Sequence, residues 1–219
     1  MSRYYPVFLD LDGRLALVAG VGPELAARAE ALGAVGARVV VVTARPSAQV
    51  RALAHARRID LRERDLRAED LAGVALAIVV GDEVVARVAR AAATAARVPL
   101  NVVDRPELCD WIHGAVLRRG ALVAAISTSG AAPALAVRIR DRLAAEAGPE
   151  YARFLELAGE HRERIARSGL DFAARRRLWY RLADSDALAA LREGDDARAR
   201  AIFAEELAAG LAAAAEGAA

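Results

Sequence analysis

Asp104 closes the apolar run Pro99-Leu100-Asn101-Val102-Val103 and is followed at once by Arg105-Pro106. A parallel strand that ends on a carboxylate delivers an acid to the crevice outside the carboxyl edge of its sheet, where α/β proteins collect their ligands. An acid there can take a proton from a bound substrate. A solvated Asp closing a turn before proline has the same local signature, so Asp104 gains meaning only from the rest of the chain. Gly20-Val21-Gly22-Pro23-Glu24 is a second candidate group. Glycines between a strand and a helix let the backbone approach a pyrophosphate, and the new helix offers unpaired N–H groups and the positive end of its dipole. The spacing runs GxGxxxA to Ala26 rather than GxGxxG, and any tight strand-to-helix turn can require two glycines. Thr43-Ala44-Arg45, after the second apolar strand, and Gly81, after the fourth, are expected to border the same cofactor site. No acid follows the second strand to hold an adenosine ribose; Arg45 is free to face a phosphate instead. The third group is Ser127-Thr128-Ser129-Gly130, just ahead of Pro133. It reads either as an anion or substrate cradle at a helix start or as a plain set of polar caps.

The elements that must position these residues follow from hydrophobic pattern. Tyr4 to Gly13 alternates and ends on Asp12-Gly13, which predicts an edge strand with a turn. Arg14 to Ala19 predicts a buried strand, Glu24 to Leu32 a helix with Pro23 at its start, and Ala37 to Val42 a second strand, together one β-α-β unit. Helix is expected over 48–56, a short strand over 59–64, a charged connection over 66–71, a strand over 74–80 and a helix over 84–97. Asn101 to Asp104 is the next expected strand. This alternation predicts a doubly wound, Rossmann-like parallel sheet over residues 1–112. Two short strands around Arg119-Gly120 predict a hairpin, followed by a helix from Ala134 to about Ala147, so 113–148 reads as a small α+β region. The remaining 149–219 reads as helical, with its last nine residues, LAAAAEGAA, expected to fray.

Composition narrows the function classes. The chain has 219 residues, 56% of them hydrophobic, yet charges interrupt every apolar run before membrane-spanning length, so a soluble, cytoplasmic protein is expected and no membrane partner. One cysteine, Cys109, and scattered His55, His113 and His161 predict no resident metal site. All 31 basic residues are arginine, interleaved with acids and few aromatics, which argues against a nucleic-acid surface.

Taken together, YYPVFLDLDGR, the Gly20-Val21-Gly22 turn, Asn101-Val102-Val103-Asp104, Pro106-Glu107-Leu108-Cys109-Asp110-Trp111-Ile112 and the stretch from Ile126 to Ala136 resemble the precorrin-2 dehydrogenase and sirohydrochlorin ferrochelatase family, the dehydrogenase-chelatase portion of siroheme synthase. The resemblance runs from Tyr4 to about Arg142, and Arg175-Arg176-Arg177-Leu178-Trp179 is similar to that family's helical tail. It implies NAD-dependent oxidation of precorrin-2 to sirohydrochlorin, with NADP left open, and in many members insertion of ferrous iron as a transient substrate. It implies a homodimer with a central dimerisation and substrate region, here 113–148, Asp104 as the catalytic acid-base residue, and Thr128 at the position of a serine phosphorylated in some members. A polycarboxylate tetrapyrrole gives arginines near the matching motifs a purpose, so Arg105, Arg118, Arg119 and Arg138 join Ser127, Thr128, Ser129 and Gly130 as expected substrate contacts. The departures are Val21 for the middle glycine, one extra residue before Ala26, Gly81-Asp82 for Thr-Asp, and Ala132 for the serine before Pro133. Three alternatives stay open: a member with one activity only, a chelatase or tetrapyrrole carrier that has lost the cofactor, and a nucleotide-sensing regulatory module.

Overall fold

A computed structural model describes residues 4–216, which fall into two units, Met1–His113 and Gly114–Ala219. In the first, β1 (Leu15–Gly20), α1 (Glu24–Gly33), β2 (Arg38–Val42), α2 (Ala48–His55), β3 (Asp60–Arg62), β4 (Leu76–Val80), α3 (Glu83–Ala96) and β5 (Leu100–Val102) alternate. The strands form one five-stranded parallel sheet in the order β3-β2-β1-β4-β5. The chain fills one half of the sheet from β1 to β3 and then jumps back across β1 to start the other half at β4. The carboxyl ends of β1 and β4 therefore flank the point where strand order reverses.

Central strands buried on both faces must be apolar throughout, which is why β1, β2 and β4 read LALVAG, RVVVV and LAIVV. Alternate residues serve two cores. Val18, Val41 and Ile78 meet Leu25, Ala29, Val50 and Leu53 of α1 and α2, whereas Leu17, Ala19, Val42 and Val79 meet α3. The residues of α3 fully buried against that second face are alanines, Ala86, Ala89 and Ala93, with Val85 packed beside them, so its backbone lies close to the sheet. Its valines Val84 and Val88 stay 71% and 50% exposed, an observation that bears on the site below.

The expected edge strand over residues 4–13 is not formed: the segment is irregular up to the Asp12-Gly13 turn, and Tyr5, Val7, Phe8 and Leu9 are exposed. Its alternation supplies no buried face, since only Leu11 reaches the core; at its end Gly13 donates its N–H to the Gly36 carbonyl and accepts at its own carbonyl from Arg38 Nε of β2 at 3.0 Å. Several strands are shorter than expected: β3 covers only Asp60–Arg62, β4 starts at Leu76, and β5 stops at Val102, two residues before Asp104. The connection over 66–71 contains a 3-10 turn, Ala68–Leu71.

That turn encloses the first unit's one buried acid among the described residues. The Asp70 side chain, out of contact with solvent, accepts from Arg62 Nη1 at 2.8 Å, from Arg64 Nη1 and Nη2 at 2.7 Å each, and from the Arg67 N–H at 2.9 Å.

The second unit opens with the antiparallel hairpin β6 (Ala115–Arg119) and β7 (Leu122–Ile126), turned at Gly120, and continues with α4 (Pro133–Glu146) and α5 (Glu150–Ala166). Then come α6 (Phe172–Ala183), α7 (Ala187–Glu193) and α8 (Asp196–Glu216). Hairpin, α4 and the later helices all lie in this one unit. Leu157, Ile165, Leu178, Leu182, Phe203 and Leu207 make its main core, and Glu150, buried at the start of α5, accepts from Arg192 of α7. Of the residues expected to fray, 211–216 continue α8, and 217–219 lie outside the described residues. No helix among the described residues is long and apolar enough to cross a membrane.

The arginine bonds, Arg64 first among them, hold the Asp70 carboxyl down from 3.8 to about 2. Its stabilisation is complete above the unfolded value of 3.8 and is lost as pH falls through 2. Asp70→Asn should lower stability at neutral pH by about 2 kcal/mol, because two guanidinium groups lose their anion. Urea unfolding of the wild type and variant at pH 7 and pH 2.5 checks this, with the gap between them narrowing at the lower pH.

Candidate active site

The crevice at the reversal point is shaped by contact between β1 and β4. Gly20 ends β1 with φ at +109°, and a Cβ placed there would lie 1.7 Å from the Val80 carbonyl oxygen of β4. That carbonyl accepts instead from the Val21 N–H at 2.9 Å. A Cβ on Gly22 would meet Val80 Cγ1 at 2.5 Å and Glu24 Oε2 at 3.0 Å. Both glycines are thus required by the approach of β4, and the Glu24 carboxylate folds back over the turn at the amino end of α1. Pro23, in the cap position, brings no N–H, and Glu24 opens the first helical turn.

One cleft is lined by Gly20, Val21, Val42, Thr43, Ala44, Arg64, Asp65, Leu66, Val84, Val85 and Val88. Four of the expected cofactor residues, Gly20, Val21, Thr43 and Ala44, meet there. Gly22, Pro23 and Glu24 continue from its floor into α1, Gly81 leads from β4 into α3, and Arg45 follows Ala44 at the tip of β2. Thr43 is buried, and its Oγ1 accepts from the Arg45 N–H at 3.2 Å, which sets the turn after β2.

Sequence reasoning missed the far walls, Arg64, Asp65 and Leu66 after β3 and the three valines of α3. The available signal was Val84 and Val88 at i and i+4, opposite the alanine stripe, a second apolar face on a helix that needs only one. Exposed valines beside a glycine turn and a helix amino end suit a ligand with both flat rings and phosphates, and a nicotinamide dinucleotide fits this cleft. Gly20, Val21, Thr43, Ala44 and the valine wall would hold it, with Glu24 beside them at the amino end of α1.

Asp104 stands beyond the end of β5, exposed, in the left-handed region at φ +61°. Its placement comes from the loop that follows, which folds back along β5. The Val102 N–H donates to Cys109 Sγ at 3.1 Å, and that sulfur lies 3.2 Å from the carbonyls of both Val102 and Arg105. The Asp110 N–H donates to the Leu100 carbonyl at 2.8 Å, while Asp110 Oδ2 accepts from the Leu100 N–H at 2.9 Å and from Arg90 of α3 at 2.7 Å. Asn101, buried, donates from Nδ2 to the Trp111 carbonyl at 3.0 Å. Arg105 is half-buried, and its charge is among those that hold the Glu83 carboxyl below its usual range, after Arg87. His113 packs on Trp111 with ring centroids 4.8 Å apart; desolvation, and then the charge of Arg28, push it down to about 4, so its imidazole is neutral at working pH.

The remaining expected substrate contacts belong to the second unit. Ser127 Oγ accepts from the Ser129 N–H at 3.0 Å, and Thr128 Oγ1 accepts from the Ala132 N–H at 3.1 Å, which fixes the turn ahead of α4 while the helix start itself has no side-chain cap. Ser129 and Gly130 both have positive φ, +55° and +84°. Arg118 and Arg138 are exposed on β6 and α4. Arg119 has different work: its Nε donates to the Ala147 carbonyl at 3.1 Å and its Nη2 to that of Ala144 at 3.5 Å, so it closes the carboxyl end of α4. Among the described residues no group of His, Cys, Asp and Glu is arranged to hold a metal ion.

Glu24→Gln should tighten dinucleotide binding roughly two- to fivefold, by removing a negative charge from the helix end that a pyrophosphate would approach. Titration of NADH fluorescence against the wild type and variant checks this; weaker binding in the variant would mean that Glu24 helps hold the ligand.

Comparison with known proteins gives a consistent picture. A family model described as putative NAD(P)-binding matches residues 7–115, one for the central part of sirohaem biosynthesis proteins matches 119–146, and one for the sirohaem synthase dimerisation region matches 150–207. Siroheme synthase from Pseudomonas paraeruginosa is 37% identical over 211 residues, covering 95% of this chain and 45% of that protein. Siroheme synthase from Methylococcus capsulatus is 35% identical over 187 residues, covering 84% of this chain and 39% of that protein. The chain thus spans less than half the length of these curated relatives. The solved structure of SirC, precorrin-2 dehydrogenase, shares the fold with a TM-score of 0.68 at 23% identity, covering 92% of this chain and all of that one. Three models in one order, set on a parallel sheet and a helical second unit, place this chain in the precorrin-2 dehydrogenase and sirohydrochlorin ferrochelatase family, the dehydrogenase-chelatase portion of siroheme synthase.

Proposed function

We propose that this chain oxidises precorrin-2 to sirohydrochlorin with a nicotinamide dinucleotide as oxidant, acting as a homodimer; the matched dimerisation model supports assembly through 150–207 rather than through the expected 113–148. The observation that carries the reading is Asp104: an exposed carboxylate, in a left-handed backbone conformation, beyond the carboxyl end of the strand next to the glycine-turn crevice. Asp tolerates the left-handed region better than most residues, yet a loop of side-chain and backbone bonds fixes it there, an arrangement found where a group must be presented rather than packed.

Desaturation of the macrocycle removes two hydrogens, one as a hydride and one as a proton. The dinucleotide, when bound, supplies the hydride acceptor. Asp104 receives the proton, and Arg105 beside it offers a guanidinium to a substrate carboxylate. In the second unit, Arg118 and Arg138, with the hydroxyls and turn amides of Ser127, Thr128, Ser129 and Gly130, are groups of the kind that bind a polycarboxylate. Ferrous iron entering sirohydrochlorin expels two pyrrole protons, and the same carboxylate is suited to accept them. Iron is there a substrate rather than a resident cofactor.

Asp104→Asn keeps the size and the turn and removes the base. It should lower the rate of precorrin-2 oxidation by about a hundredfold or more while NADH binding stays unchanged. The assay is anaerobic, following nicotinamide reduction and the macrocycle spectrum with and without added ferrous iron. Turnover at the wild-type rate in the variant would overturn the role of Asp104. Tetrapyrrole binding or iron uptake without nicotinamide reduction in the wild type would move the chain to the chelatase or carrier reading.

A further inference from the structure

Helix α3 meets both the cleft and the loop that presents Asp104. Its first turns carry Val84, Val85 and Val88 into the cleft wall, and Arg90, further along, reaches the loop. Arg90 Nη1 donates to Asp110 Oδ2 at 2.7 Å and to the Leu108 carbonyl at 3.4 Å. The guanidinium is itself held in place, because its Nε and Nη2 donate to Thr94 Oγ1 at 3.1 Å and 3.0 Å, one turn on in the same helix. That hydroxyl donates in turn to the Arg90 carbonyl at 2.8 Å. A long, flexible side chain is thereby fixed in one direction before it meets the loop.

The receiving group is equally constrained. Asp110 pairs with Leu100, the first residue of β5, through its own N–H and through Oδ2, the same oxygen that Arg90 binds. At the other end of the loop, the Val103 N–H donates to the Val79 carbonyl of β4 at 2.9 Å, which fixes where the chain leaves the sheet. Asp104 lies between these two anchors, in its left-handed conformation. The Arg90 side chain is 26% exposed and that of Asp110 45%. An ion pair so open to water adds little to global stability, so the use of this one is placement rather than folding.

Resting on the reading that Asp104 is the base in precorrin-2 oxidation, we propose that Arg90 is a positioning residue for that step: by holding Asp110 it ties the loop that presents Asp104 to the helix that walls the cofactor cleft. The proton acceptor and the hydride acceptor are then placed from one rigid element. Proton and hydride leave the same macrocycle, so their acceptors have to be set relative to each other, and an error of about 1 Å in such a placement costs on the order of a hundredfold in rate. Arg90 acts at a distance in this arrangement: it does not line the cleft, and its guanidinium is taken up by Asp110, Leu108 and Thr94.

The experiment compares the full chain with Arg90→Ala, Asp104→Asn and the double variant, measuring anaerobic precorrin-2 oxidation at saturating NAD, NADH affinity by fluorescence, and thermal unfolding. Arg90→Ala should slow oxidation about tenfold, with NADH affinity and the KM for precorrin-2 within about twofold of wild type. Arg90→Lys, which keeps a cation toward the same carboxylate, should fall between wild type and Arg90→Ala. In the Asp104→Asn background, Arg90→Ala should cost less than about twofold, because no base is left there to misplace. A merely structural role would slow both backgrounds alike. An unchanged rate in Arg90→Ala, an equal loss in both backgrounds, or a loss confined to NADH affinity would overturn the proposal, while a slow Asp104→Asn variant leaves the dehydrogenase reading standing. Wild-type turnover in Asp104→Asn would overturn the role of Asp104 and the proposal with it.

Discussion

The first unit depends on how closely β1 and β4 approach at their carboxyl ends. Parallel strands from the two halves of the sheet meet there, and the chain leaving β1 must turn away at once to make room for the chain leaving β4. Gly20 permits this by adopting φ +109° with its missing Cβ against the Val80 carbonyl, and the Val21 N–H then satisfies that carbonyl. Any side chain at position 20 would push the strands apart and tilt α1 off the sheet. The crevice is the space left by that turn, so its existence follows from strand order and backbone contact before any ligand is considered.

The second constraint is the return loop after β5. A three-residue strand at the edge of a sheet is weakly held by its one neighbour, and the residues beyond it would normally move. Cys109, Asp110 and Asn101 supply the missing partners, so the free edge of β5 is covered by its own chain. Arg90 ties the same loop to α3 through Asp110. The backbone leading to and from Asp104 is thus held by bonds from its own loop and from α3.

Much of this was legible in the sequence because the signals were physical and redundant. Apolar runs of strand length, each stopped by glycine or proline and followed by an alanine-rich helix, leave few alternatives to a doubly wound sheet. Tyr4–Gly13 misled because alternation tests only for a two-sided segment; it does not test whether a sheet edge is available to receive it. At the site, the glycines and Asp104 stood out because their types are unusual for their places. Arg64, Asp65 and the valines of α3 did not, since each reached the cleft through tertiary structure: Arg64 through a buried Asp70, the valines through the alanine face that turned them outward. A chain whose only basic residue is arginine also hides which arginines matter. Arg119, beside a matching motif, closes α4, whereas Arg64 and Arg90, outside every motif, shape the site and its loop.

The glycine turn shows why a motif and its function can separate. Gly20 and Gly22 are both demanded by Val80, so the pair would be retained whether or not a phosphate ever bound. Affinity for the phosphate is set by the next residues, which are free of that constraint. Pro23 removes a donor and Glu24 places a carboxylate where the helix dipole attracts any anion, including the protein's own. Helix α2, by contrast, has no acid in its first turn. A glycine pair at such a turn therefore reports the meeting of two strands first, and a ligand only through the residues that follow it.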